Sequence, residues 1–190
     1  TNWDATICRP TQQVLEPDVT QWRLQIDLEY DSFGNLRRQT VGDGPGGVMM
    51  FDHEPFRPLG PWEIDRGPQY LHYDVWWHLG HDTMITSEWG TPDTFENGLI
   101  PEVLLGSKYG RRLHFWDLTK RKHLQEIDFG EEHQLVFELR PAHDPTKAYG
   151  FVNCVISLKD LSASIWTWYR DGDKWAVKKV ITIPAEPAEA

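Results

Sequence analysis

The groups in this sequence that could do chemistry are imidazoles, carboxylates and two thiols. Eight histidines are present. His78 and His81 form an H-x-x-H, and imidazole nitrogens suit transition metals. The pair His81-Asp82 recurs downstream as His143-Asp144. On a helix the H-x-x-H spacing would turn both rings to one face. Here it falls in a polar turn between apolar runs, so the spacing alone does not bring them together. Glu138 and Arg140 are two apart in an alternating run and share one face of a strand. They are either a buried ion pair locking neighbouring sheets or support for a metal or a bound thiol. Asp74 belongs with them as a candidate catalytic group. The candidate metal ligands are Glu138, Glu88, His143 and His81. Cys154 lies mid-run in FVNCVIS with no cation beside it in sequence, and reads as a small core hydrophobe. Cys8 is the better candidate for thiol chemistry. There is no G-x-S-x-G and no nucleophile with an evident base.

These groups must be positioned by strands. Tyr73–Trp77 and Met84–Glu88 read as two apolar strands joined by the turn Leu79-Gly80-His81-Asp82. Leu113–Leu118 and His123–Phe129 follow as third and fourth strands. Gln134–Leu139, Gly150–Leu158, Ser164–Tyr169 and Trp175–Ile183 repeat the arrangement, the last two joined by the tight turn Arg170-Asp171-Gly172-Asp173. A strand-only unit used twice points to propeller blades. The fold class expected is therefore all-β: about two complete four-stranded β-propeller blades and part of a third. In such a fold ligands converge at one mouth of the central channel. Tyr73, Asp74, Glu138, Arg140 and Glu88 with Trp89 are expected at that mouth. His81 and His143, each in the turn after an inner strand, fall at the opposite one and suit a structural job.

Between the second and third strands of the first unit lies a long connection, residues 90–112. Pro101 to Gly106 within it reads as one helical turn, with proline at the start and glycine as the stop. Long loops in compact folds are usually functional. Residues 1–41 are harder to read. Trp22, Leu24, Ile26 and Leu28 share one face, and with residues 36–41 they suggest a hairpin. The glycine-rich stretch Gly42–Gly47 lacks the lysine and following helix of a phosphate cradle, and reads as a loop. Residues 185–190 read as a disordered tail.

The net charge of −10 argues against a nucleic-acid partner. Lys108, Arg111, Arg112 and Lys120–Lys122 are offset by Glu126, Asp128, Glu131 and Glu132. No run of about 18 apolar residues spans a membrane. Two cysteines suggest a reducing compartment, so a cytoplasmic location is expected. The first residue is threonine, which leaves a periplasmic protein with a removed signal as the alternative. Two blades would leave sheet edges open to pairing, so an oligomer or a partner chain is expected to cover them.

Several motifs occur together and in order. Gly42–Gly47 (GDGPGG), Ser87–Trp89 (SEW), Leu113–Leu118 (LHFWDL) and Gly150–Ser157 (GFVNCVIS) resemble the selenium-binding protein family, also called methanethiol oxidases. The resemblance runs over residues 42–184; residues 1–41 are not matched. It implies part of a larger propeller of roughly seven blades. It also implies copper-dependent oxidation of a small thiol by dioxygen, giving an aldehyde, hydrogen sulfide and hydrogen peroxide, with selenium as a further possible ligand. The family's N-terminal cysteine pair and His-His segment have no counterpart here. The other reading is a non-catalytic binding module that presents its loops to a protein partner.

Overall fold

A computed structural model describes the backbone of residues 2–4, 9–15, 24–30 and 36–41, and all of residues 45–187 apart from 55, 56, 97, 99 and the side chain of Asp93. It is built almost entirely of antiparallel strands. β1 (Asn2–Asp4), β2 (Arg9–Leu15), β3 (Leu24–Tyr30) and β4 (Leu36–Val41) form one sheet in that order. The expected hairpin is the β3–β4 pair, and it extends into a full four-stranded meander. β5 (Met49–Phe51) and β6 (Pro58–Pro61) form a two-stranded ribbon. The prolines of β6 suit an edge, where no ladder N–H is needed.

The second four-stranded sheet runs β10-β9-β8-β7, from β7 (Val75–His78) through β8 (Thr83–Ser87) and β9 (Arg112–Asp117) to β10 (Lys122–Asp128). The third runs β11-β12-β13-β14, from β11 (His133–Pro141) through β12 (Tyr149–Ser157) and β13 (Ala163–Asp171) to β14 (Lys174–Ile183). β11 packs along β7 and β8, and β10 touches β14, so first strand meets first strand and last meets last. This is a partial, propeller-like all-β fold.

Burial explains the strand types. All five residues of β8 are buried, as a central strand covered on both faces requires. β10 alternates exposed and half-buried along its whole length, the period-2 signature of an outer strand. The core between the sheets holds Ile85, Leu113, Phe115, Val136, Leu139, Val152, Cys154, Trp168 and Trp175. Phe115 and Trp175 stack across the seam with ring centroids 5.0 Å apart and planes 9° from parallel. Buried indoles keep their N–H satisfied: Trp116 donates to Thr86 Oγ1 and Trp168 to the Phe151 carbonyl.

The edge of β10 is not open. The Ile64 N–H donates to the Arg121 carbonyl, the His123 N–H donates to the Asp65 carbonyl, and Arg121 reaches back to the Trp62 and Pro61 carbonyls. Residues 45–47, the end of the glycine-rich stretch, are anchored too. A Cβ on Gly46 would sit 2.8 Å from the Cβ of His72, so only glycine fits there. The long connection carries α1 (Pro92–Phe95) and, where proline and glycine predicted it, α2 (Pro101–Leu105) with Gly106 as its cap. Gln134 on β11 pins this connection: its amide donates to the Leu104 carbonyl and its oxygen accepts the Tyr109 N–H. No helix among the described residues is long and apolar enough to cross a membrane. Residues 184–187 carry no regular secondary structure.

Candidate functional site

One irregularity in β11 sets the site. Val136 pairs with Cys154, but Leu139 pairs with Val152, so β11 holds one residue more than β12 between them. That is a β-bulge, and it re-aims the side chains that follow. Val136 and Leu139 are both in the core although they are three apart. Strict alternation from Val136 would instead have buried Glu138 and Arg140. With the extra residue both point outward, and the unpaired Glu138 N–H is taken up by Asn153 Oδ1 at 2.8 Å.

Four of the predicted residues meet there. The Tyr73 hydroxyl donates to Glu138 Oε1 at 3.1 Å. Arg140 Nη2 lies 2.6 Å from Glu138 Oε2, and Nη1 lies 3.2 Å from Asp74 Oδ2. Asp74 also accepts the N–H groups of Val75 and Leu139, at 2.8 and 2.9 Å. Tyr73 stacks on Phe137 at 4.5 Å, and Trp89 meets both rings edge-on while stacking on Phe95. The Arg140 guanidinium also lies over the Trp76 ring. Burial, and then the hydrogen bond to the Glu138 carboxylate, hold the Tyr73 phenol above its usual pKa.

Glu88 is not part of that group. Although it adjoins Trp89, its side chain is buried inside the second sheet. Its Oε1 bonds His114 Nε2 at 2.9 Å, and its Oε2 accepts the Arg111 N–H at 3.2 Å. His114 in turn meets His123 through Nδ1 at 3.1 Å. This chain was missed in the sequence. The only hint was a histidine at an inward position of LHFWD and another at an inward position of KHLQEID.

His81 and His143 lie at the other end of the strands. His78, with its ring centroid 5.0 Å from that of His81, shares an open pocket of about 260 Å³ with His143, Trp77 and Leu79. His78 Nε2 bonds the Lys147 carbonyl at 2.7 Å, which ties the turn of one sheet to the turn of the next. Burial, and then the neighbouring His78 ring, lower the His81 pKa.

Cys154 is fully buried, and burial pushes its thiol up to about 12. Cys8 lies outside the described residues. In the basic clusters, Arg111 and Arg112 pair with Asp128 and Lys120 pairs with Asp117.

The residues present do not fit a copper cage. Among the described residues no three His, Cys, Asp or Glu side chains converge as metal ligands. Where β7 meets β11, the Arg140 cation stands between the carboxylates of Asp74 and Glu138.

Four-stranded antiparallel sheets packed first strand to first strand, with charged groups gathered where those strands meet, define a propeller-like class of protein. Comparison narrows it. The family model described as 56kDa selenium binding protein (SBP56) matches residues 33–190. The methanethiol oxidase of Danio rerio is 35% identical over 187 residues, covering 93% of this chain and 40% of that protein. Selenium-binding protein 2 of Mus musculus is 32% identical, covering 92% of this chain and 38% of that protein. The crystal structure of a hypothetical selenium-binding protein from Sulfolobus tokodaii is 47% identical, with a TM-score of 0.75 over 96% of this chain and 36% of that one. The chain belongs to the selenium-binding protein family, and it spans about two fifths of the length of these relatives. The match reaches into the first 41 residues, further than the motifs in the sequence suggested.

Proposed function

We propose that this chain serves a methanethiol oxidase. In the overall reaction methanethiol, dioxygen and water give formaldehyde, hydrogen sulfide and hydrogen peroxide, so carbon is oxidised and dioxygen takes the two electrons. The observation that carries this reading is the identity of 35% to a protein named methanethiol oxidase across nearly the whole chain. By family resemblance the redox metal is copper, which would supply the electron transfer to dioxygen. The described residues offer it no cage, so their part in the reaction is a different one.

Tyr73, Asp74, Glu138 and Arg140 line the mouth between the first strands and hold its shape. Tyr73, Trp89 and Phe137 give that mouth an apolar wall suited to a small S-methyl group. The direct test follows methanethiol consumption and peroxide release by the purified protein, with and without added copper. Oxygen-dependent release of one peroxide per thiol consumed supports the reading. A copper-supplemented protein that leaves methanethiol untouched overturns it.

A second reading has its own support. Every charged group at the mouth already has an internal partner, as in a structural latch. On that reading the chain is a non-catalytic module. Its exposed apolar side chains on β12 and β14, among them Tyr149, Phe151 and Ile181, would be covered by a partner chain or a second copy. Absence of turnover together with a stable, stoichiometric protein partner would establish it.

A further inference from the structure

Glu88, His114 and His123 make a linear hydrogen-bonded chain whose direction is fixed by chemistry. An ionised Glu88 can only accept, so His114 Nε2 must carry the hydrogen in their 2.9 Å contact. His114 Nδ1 then holds a lone pair, and His123 Nε2 must donate to it across 3.1 Å. That leaves the lone pair of His123 Nδ1 at the end of the chain, with no partner among the described residues. Gly67 packs against this ring, where a Cβ would sit 2.7 Å from Nδ1, so only glycine lets the chain pass so close. His123 Nδ1 is not among the buried unpaired atoms, so solvent reaches it.

The two ends lie in different surroundings. His114 is fully buried, and the Trp116 ring walls His123 edge-on at 5.0 Å. His123 itself is half-buried on the outer strand β10, beside the Asp65–Lys122 ion pair. Glu88, at the inner end, lines an open pocket of about 240 Å³ with Leu71, Tyr109, Lys108, Arg111 and Arg112. The other charged or titratable groups facing the chain are Arg112, 3.9 Å from Glu88 Oε2, and His72 with Arg66 near His114. Burial, and then His114, lower the His123 pKa to about 4, so its ring is neutral at pH 7 and holds an added proton only transiently.

We propose that Glu88, His114 and His123 are a proton inlet from solvent at the β10 edge to the pocket beneath the long connection. A proton from water binds His123 Nδ1. The hydrogen on His123 Nε2 moves to His114 Nδ1, and the hydrogen on His114 Nε2 moves to Glu88 Oε1. One proton enters, both rings end neutral in the opposite tautomer, and Glu88 becomes a carboxylic acid whose hydrogen, on Oε1, faces His114 Nε2 until the carboxyl turns it toward the pocket. The inlet stands independently of the thiol oxidation proposed above.

The test is nitrogen NMR of the full chain labelled at histidine. His114 is expected as the Nε2–H tautomer, and finding it as Nδ1–H overturns the proposal. The second measurement is solvent exchange of the His114 ring hydrogen. His123→Leu removes the entry point and should slow this exchange about a hundredfold, the lower range of what a positioned proton-transfer group contributes. His123→Gln keeps a donor to His114 Nδ1 but cannot take up and release a proton. It should slow exchange as well, and it remains informative if the leucine variant does not fold. A purely structural histidine would behave the other way, because its loss loosens packing and speeds exchange. Unchanged or faster exchange in the glutamine variant therefore overturns the inlet.

Discussion

The side-chain amide of Gln125 pairs with the backbone of Trp175 as a neighbouring strand would. Its nitrogen donates to the Trp175 carbonyl at 2.8 Å, and its oxygen accepts the Trp175 N–H at 3.0 Å. One glutamine on β10 thus closes the outer end of the seam between two sheets. It also fixes the ring that stacks on Phe115.

Removing that amide leaves two backbone groups unpaired where the sheets meet. Gln125→Ala should destabilise the chain by about 1–3 kcal/mol, the cost of stranding partly buried donors and acceptors. Chemical denaturation should show a lower midpoint with an unchanged slope. A midpoint equal to that of the unmodified chain would mean that water replaces the glutamine at no cost.

Asp74 and Arg140 touch each other yet should behave differently. The Arg140 side chain is 57% exposed, so its ion pairs are screened, and Arg140→Ala should cost under about 1 kcal/mol. Asp74 accepts two backbone N–H groups, one from each sheet. Asp74→Ala should cost about 2–4 kcal/mol, because hydrogen bonds to a charged acceptor are the stronger kind. Equal losses in the two variants would refute this division of labour.

Acid should weaken the fold through two imidazoles. Burial, and then Arg66, lower the His72 pKa to about 4, and burial with His114 does the same to His123. An unfolded histidine titrates near 6.5. Between those values the unfolded chain binds more protons than the folded one, so stability is full above pH 6.5 and falls as the pH drops towards 4. His72, the more buried, accounts for on the order of 2–3 kcal/mol of this, and His123 for less because solvent reaches it. In a His72→Gln variant the slope of stability against pH across that window should flatten, which denaturant titrations at several pH values would show.

Cys154 should be silent in the native protein. With its thiol pushed up to about 12 and no exposed surface, it should resist iodoacetamide at pH 8 and react at once on unfolding. A Cys8→Ser background isolates its signal. Native-state labelling at the rate of a free thiol would contradict the burial.

Much of this fold was legible because its signals are local. Alternation and apolar runs located β7 to β14, and Pro101 with Gly106 bounded α2. Tyr73, Asp74, Glu138 and Arg140 could be grouped because the repeat set first strand beside first strand. The rest depended on contacts distant in sequence. Glu88 looked like a mouth residue by its place beside Trp89. Its burial follows from His114, 26 residues later, which offers its carboxylate a partner. The β11 bulge hid because Val-Phe-Glu-Leu reads as ordinary alternation unless Val136 and Leu139 are known to share a core. β6 hid because Pro58 and Pro61 read as breaks.

The supernumerary residue between Val136 and Leu139 is one that the core itself does not need. Deleting Phe137 or Glu138 would leave one residue opposite Asn153, so simple alternation would keep Val136 and Leu139 in the core and Arg140 outside; only the bulge, and the outward pair it creates, would be lost. A deletion in the exposed turn a few residues later, at residues 143–147, moves no strand register. Related sequences that lack one residue before Leu139 should therefore keep both core side chains and lose the bulge, while changes in length at the turn should spare the carbonyl that holds His78.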